Sequence, residues 1–223
     1  MAKTLFITGT DTDAGKTYFS VALLKALKNG GYKSSALKPV AAGCDEHGHN
    51  DDALQLQQAM TADLPYQQVN PVALQDPIAP HIAAAEEGKR VTASRLEGFA
   101  RGLCTRKEDI CLIEGAGGWL CPLNEKETLA DFAKLMQTPV IIVVGLKLGC
   151  LNHALLTAQS VRASGLPIVG WVANCVSETM PVRDQNIEYL SRSMGAPCLA
   201  MLPHGLTTDE AAQRIQLDFI EKL

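Results

Sequence analysis

Short apolar, β-branched runs alternate with segments of helical periodicity along the whole chain, and this alternation restricts the fold more than any other feature. It is the pattern of βαβ units, whose strands run parallel and are covered by helices. Strands are predicted at Thr4–Thr8, Ser34–Lys38, Ile110–Glu114, Val140–Gly145, Ile168–Ala173 and Cys198–Leu202, several of them apolar on both faces, as covered strands must be. The helix after the first strand puts Phe19, Leu23, Ala26 and Leu27 on one stripe and stops at Gly30-Gly31. Further helices are predicted at about Asp51–Met60, Ser94–Cys104, Leu129–Met136, Asn152–Ser164, Val182–Met194 and Asp209–Lys222. Aromatics are only 5% of residues against 47% hydrophobic, so the core is mainly aliphatic, which suits a layered α/β domain. Residues 62–80 carry Pro65, Pro71, Pro77 and Pro80 and read as an irregular excursion, with regular patterns on both sides. One domain over residues 1–223 is the expected partition, since repeats, low-complexity tracts and composition breaks are missing.

Composition excludes several classes of partner. A net charge of -4 with dispersed Lys and Arg offers no footprint for nucleic acid. The longest apolar run, Pro139 to Leu146, is too short for a membrane span, which takes about 20 residues. Met1-Ala2-Lys3 leads directly into the first strand without an export leader, so a cytoplasmic protein is expected. Cys44, Cys104, Cys111, Cys121, Cys150, Cys175 and Cys198 form an odd set without a Cys-x-x-Cys pair, and are read as reduced core residues.

A parallel sheet binds ligands at the carboxyl ends of its strands. After the first strand comes Gly9-Thr10-Asp11-Thr12-Asp13-Ala14-Gly15-Lys16-Thr17 and then the amphipathic helix. A glycine-bearing loop opening onto a helix aims backbone N–H groups and the positive end of the helix dipole at one point, where phosphate oxygens sit. Lys16 would reach the outer phosphates and the Thr17 hydroxyl would bind Mg²⁺. A tight turn alone does not require a Gly-Lys-Thr triplet in this context. The loop is a variant, because Gly9 and Gly15 are separated by five residues instead of four and Thr10 takes the usual first-glycine position. The second lysine that partitioning and cell-division ATPases carry early in this loop is replaced by Asp11.

Mg²⁺ takes one or two carboxylates beside phosphates and water. Glu114 ends a buried-type strand and runs into Gly115-Ala116-Gly117-Gly118, where another group can approach closely. Asp52 precedes an apolar helical run and reads equally as a helix-capping acid. Lys38 ends the second strand ahead of Pro39; it is either a solvated terminus or a second cation on the transferring phosphoryl group, and its place at the carboxyl edge favours the second.

With these elements the sequence resembles the dethiobiotin synthetase family over nearly its whole length. The matching stretches are Thr8-Gly9-Thr10-Asp11-Thr12 with Gly15-Lys16-Thr17, Lys38-Pro39-Val40, Asp52-Ala53-Leu54, Glu114-Gly115-Ala116-Gly117-Gly118-Trp119, Val143-Val144-Gly145 with Lys147-Leu148-Gly149-Cys150, Asn152-His153-Ala154 and Trp171-Val172-Ala173-Asn174. The resemblance implies a doubly wound, mostly parallel sheet of the P-loop NTPase type, and a homodimer with the active site at the subunit interface. It also implies the reaction: one amine of 7,8-diaminononanoate takes up CO₂ as a carbamate, ATP phosphorylates the carbamate, and the second amine closes the cyclic urea. Lys16 and Lys38 would then stabilise the transferring group, and Thr17, Asp52 and Glu114 would hold Mg²⁺. The nucleotide would lie against Asp13, Ala14, Gly15, Lys16, Thr17, Tyr18, Gly115, Ala116 and Gly117, with its base near Asn174, Cys175, Pro203, His204, Gly205 and Glu210. Thr12, Ala42, Gly117 and Asn152 would contact the diamine substrate. Ala42 departs from family members that have a substrate-binding serine there. Asn152 as a helix N-cap and Glu210 as a first-turn acid are the plain alternatives.

His47-Gly48-His49 lacks a fixed third ligand and reads as exposed residues in place of a metal site. The segment from Ile215 to Leu223 is expected to dock on the domain, and Trp119 either walls the substrate pocket or packs. Two rival functions have weaker support. A partner-directed ATPase switch would carry the loop lysine that Asp11 replaces. A glutamine-dependent amidating synthetase of related fold would need a further domain for which 223 residues leave no room.

Overall fold

The computed structural model describes residues 2–104 and 107–223; Met1, the first residue of the segment read as lacking an export leader, lies outside them. The chain runs β1 (Lys3–Gly9), α1 (Lys16–Asn29), β2 (Ser34–Leu37), β3 (Val40–Ala41), α2 (Asp51–Ala59), α3 (Tyr66–Val69), β4 (Val72–Ala73), α4 (Pro80–Glu86) and α5 (Ala93–Cys104). It continues through β5 (Ile110–Glu114), α6 (Leu129–Met136), β6 (Val140–Gly145), α7 (Cys150–Ala163), β7 (Ile168–Asn174), α8 (Arg183–Ser193), β8 (Cys198–Leu202), α9 (Thr208–Ala212) and a 3-10 turn over Asp218–Lys222.

Six strands form one sheet in the order β2-β5-β1-β6-β7-β8, and every pairing in it is parallel. Residues 110–114, 140–145 and 34–37 are buried throughout, which explains why their sequences do not alternate. Helices pack over the sheet in neighbouring sets, α1 with α2 and α9, α5 with α6, and α7 with α8. Phe6 meets Trp119 and Phe132 edge-on at centroid distances of 5.9 and 6.1 Å. Trp119 is 3% exposed, so it packs in the core. Strand β1 lies between β5 and β6, so the chain leaves it first to one side and later to the other. The crevice of such a sheet opens at this reversal, beyond the carboxyl ends of those strands.

Four segments differ from their sequence patterns. The predicted helix Asp209–Lys222 is interrupted after Ala212. There the Gln216 N–H bonds Leu199 O of β8 at 3.3 Å, while Ile215, Phe219 and Ile220 bury their side chains, so sheet contact displaces helical continuity. The excursion at 62–80 contains α3 and β4, the latter pairing in parallel with β3. Helix α4 has no counterpart among the predicted helices; Pro80 at its first position fits a helix start because proline lacks only an N–H that would be unpaired there. The predicted Asn152–Ser164 helix starts earlier, at Cys150, after Gly149 turns the backbone left-handed. Seven cysteines are free, with Cys121 and Cys198 half-buried. Among the described residues no helix is long and apolar enough to cross a membrane.

Candidate active site

The phosphate loop is held from behind. Gly15 has φ +88° and caps α1. A Cβ there would lie 2.0 Å from the Asn174 side-chain nitrogen, which donates to Ala14 O at 2.9 Å. Gly145 at the end of β6 brings its Cα close to the same loop, since a Cβ on it would sit 3.0 Å from Ala14 Cα. Both glycines therefore let β6 and β7 press directly on the loop. Asp11, at the place of the missing lysine, forms an ion pair with Lys147 at 2.7 Å across to the β6–α7 connection. The Lys147 hydrogen bond, then that of the Thr12 N–H, hold the Asp11 carboxyl below its usual range. Gly15→Ala is expected to weaken Mg-ADP binding on the order of a hundredfold, because it adds left-handed strain and breaks the Asn174 contact. Calorimetric titration with Mg-ADP checks this.

Lys16 is 7% exposed and its Nζ donates to Asp11 O at 3.1 Å. Burial, followed by the nearby Lys38 ammonium, lowers its pKa. Thr17 Oγ1 donates to Glu114 Oε1 at 2.8 Å. Lys38 lies just past the end of β2 and ion-pairs with Glu114 at 2.6 Å and Asp52 at 2.8 Å. Burial pulls the Lys38 pKa down, but the two carboxylates outweigh it and leave it raised. For Asp52 burial works upwards, and Lys38 with the Thr17 hydroxyl outweighs it, leaving the pKa lowered. The stabilisation is thus present above the ordinary carboxylate pKa and below the ordinary lysine pKa. It is lost as pH falls through the lowered Asp52 value or rises through the raised Lys38 value.

Glu114 is fully buried, and its Oε2 lacks a hydrogen-bond partner among the described residues. An unpaired carboxylate oxygen there is costly unless a cation or donor reaches it. Two carboxylates with a threonine hydroxyl form a hard oxygen donor set, so the residues fit Mg²⁺ shared with phosphates and water. Among the described residues no group of three or more His, Cys, Asp or Glu side chains converges, as a metal cage built wholly from protein would require.

Lys16, Thr17, Lys38 and Asp52 line one cavity of about 840 Å³ together with Thr12, Asp13, Tyr18, Ala42, Ala116 and Gly117, while Glu114 is buried beneath it, bonded to Thr17 and Lys38. Gly115 lies behind it and accepts from Lys38 Nζ at 3.4 Å. Part of the cavity wall is apolar, formed by Pro77, Ile78, Ala79 and Pro80. Ala14 is buried against Asn174. Asn152, Cys175, Pro203, His204, Gly205 and Glu210 are not among the lining residues. Cys175 follows β7 and bonds Leu202 O, which puts the Pro203–Gly205 turn beside the Asn174 end of that strand. Tyr18 joins the two areas by donating to Leu206 O at 3.0 Å. The Glu210 carboxylate accepts from the Thr207 N–H and hydroxyl in a capping box. Asn152 follows Gly149, the actual N-cap of α7, so it is not the capping residue.

Sequence reading missed Asn50, the half-buried thiol of Cys121 and the Pro77–Pro80 wall. Asn50 caps α2 by accepting from the Asp52 and Ala53 N–H groups. An Asn immediately before an acidic, apolar-periodic run is a legible cap signal; a proline-rich stretch gives no comparable sign that it walls a cavity.

A parallel sheet with this loop at its reversal point defines a P-loop nucleoside-triphosphate-binding protein. In fold the chain is similar to MinD of Pyrococcus horikoshii complexed with Mg-ADP, with a TM-score of 0.57 at 17% identity, covering 99% of this chain and 94% of that one. It is also similar to the FtsY receptor of Elizabethkingia anophelis in complex with GDP, with a TM-score of 0.61 at 15% identity, covering 99% of this chain and 63% of that one. Residues 3–212 match a family model described as an AAA domain. The chain is 51% identical over 216 residues to the ATP-dependent dethiobiotin synthetase BioD of Marinobacter nauticus, covering 95% of this chain and 92% of the relative. It is 51% identical over 219 residues to that of Cellvibrio japonicus, covering 97% and 96%. The chain belongs to the ATP-dependent dethiobiotin synthetase family.

Proposed function

We propose that this chain, folded as one synthetase domain, converts 7,8-diaminononanoate, CO₂ and ATP into dethiobiotin, ADP and phosphate. The observation that carries the reading is the convergence of Lys16 and Lys38 on a cavity with an acidic metal-type edge and an apolar stretch of wall. Family membership supplies the substrate. The carbamate formed on one amine is an anion, and the buried ammonium of Lys38 holds it against the phosphate loop. Lys16 at the helix start offsets charge on the transferring phosphoryl group. Thr17, Asp52 and Glu114 would hold Mg²⁺, which when bound supplies charge neutralisation between the phosphates. Pro77 and Ile78 lie against the alkyl chain and keep water from the mixed anhydride. The second amine, held in the same cavity, closes the ring through proximity. Asn174 and the Pro203–Gly205 turn border the nucleotide base, and Thr12, Ala42 and Gly117 border the diamine.

The active unit is taken to be a homodimer, in a cytoplasmic setting where ATP is supplied. The family resemblance places the subunit interface near Asn152 at the start of α7. Light scattering is expected to return about twice the 23.9 kDa of one chain, and the single-chain mass would remove the dimer. The function is tested by phosphate release from Mg-ATP and bicarbonate with and without the diamine, together with product mass. Release that depends on the diamine and yields dethiobiotin supports the proposal. Release indifferent to the diamine overturns it in favour of a switch ATPase.

A further inference from the structure

Lys38 lies one residue past the β2–β5 ladder, which ends at Leu37 opposite Ile113. Its peptide groups are therefore not held by the sheet. The short helix α3 and the residue after it hold them instead. The Lys38 N–H donates to Val69 O at 2.8 Å, and the Asn70 side chain donates to Lys38 O at 2.8 Å. Asn70 is 3% exposed, and its amide nitrogen also donates to Val72 O at 3.2 Å. Its amide oxygen accepts from the Tyr66 hydroxyl at 3.1 Å, and that hydroxyl accepts from the Asn50 N–H at 2.7 Å. Asn50 Oδ1 in turn accepts from the Asp52 N–H at 3.1 Å, and Asp52 Oδ2 meets Lys38 Nζ at 2.8 Å. These bonds close a ring that begins and ends at Lys38.

We propose that Asn70 and Tyr66 are positioning residues that set the separation and direction of the Lys38 ammonium and the Asp52 carboxylate. The proposal rests on the reaction ascribed to the cavity above. Neither side chain lines the cavity, so neither is a catalytic residue. Lys38 has a long side chain that loses much rotamer freedom when fixed, and a loose backbone beneath it would blur the position of its charge. The ring removes that freedom at both ends of the ion pair. It also gives the proline-rich excursion a role that its sequence does not reveal, namely carrying a polar clamp to the end of β2.

The test compares Tyr66→Phe, Asn70→Leu and the double variant with the parent enzyme. Tyr66→Phe deletes one oxygen and breaks two links of the ring. It is expected to lower kcat about tenfold, with KM for ATP and the thermal midpoint nearly unchanged. Because both substitutions open the same ring, the double variant should lose little more than Asn70→Leu alone. A direct readout needs no turnover: acetylation of Lys38 by acetic anhydride, followed by peptide mass spectrometry, should become several-fold faster in Tyr66→Phe. Unchanged kcat with unchanged Lys38 acetylation in Tyr66→Phe overturns the positioning role, as does a parallel loss of kcat, ATP affinity and midpoint. If the parent makes no dethiobiotin, the ascribed reaction falls, and the acetylation rates alone decide whether Tyr66 fixes Lys38.

Discussion

Exchanging Lys38 for glutamine is expected to lower diamine-dependent phosphate release about a thousandfold, while Mg-ADP affinity stays within about threefold. Glutamine still donates hydrogen bonds but carries no charge, so what is lost is the ammonium facing the transferring group. Phosphate-loop contacts are untouched, because Lys16, Gly15 and the start of α1 do not depend on Lys38 for their place. Burial adds a cost in stability. Glu114 is 0% exposed, and without the Lys38 ammonium its carboxylate keeps the Thr17 hydroxyl as a donor but has lost its buried cation. Removing one partner from a buried pair costs about 3–5 kcal/mol, which lowers the thermal midpoint by roughly 10 °C in a chain of this size. Mg-ADP should restore much of that loss by binding only the folded form. Steady-state rates and thermal melts with and without Mg-ADP measure both effects. Turnover equal to the parent would take Lys38 out of the mechanism.

Glu114→Gln should have a comparably large effect with a different profile. Here Lys38 keeps the half-exposed Asp52 as its anionic partner, and the oxygen donor set loses its fully buried carboxylate. The Mg²⁺ concentration for half-maximal turnover is expected to rise roughly a hundredfold, and kcat to fall on the order of a thousandfold. Nucleotide binding should weaken in the presence of magnesium and change little in its absence. Lys38→Gln leaves the magnesium response near that of the parent, so magnesium titrations of the two variants separate a metal-holding group from a phosphoryl-facing one. Mn²⁺ binding followed by electron paramagnetic resonance reads the same loss without turnover. A parental magnesium response in Glu114→Gln would remove Glu114 from the donor set.

Most strands were legible because a covered parallel strand must be apolar on both faces, and residues 110–114 and 140–145 leave little other reading. The C-terminal segment was not, because its apolar spacing fits a helix equally well. The bond from Gln216 to Leu199 that interrupts it joins separate elements of the chain, which local spacing does not reveal. Helix α4 and strand β4 lie within or beside the proline-rich stretch, where local propensity is weak, and β4 finds its partner only in the distant β3, so packing decides.

The candidate site divides along the same line. Gly9 to Thr17 form a local unit, strand then glycine turn then helix, whose chemistry is set by neighbours in the chain, so the sequence alone determined a phosphate loop with its lysine and its threonine. It also determined that Lys38 and Glu114 end strands. Only the tertiary structure decided that these ends meet within 2.6 Å, that Asp52 joins them, and that Asn174 supports the loop from another strand. Sheet order placed β5 between β1 and β2, and that order follows from the packing of whole layers, which residue spacing along the chain does not encode.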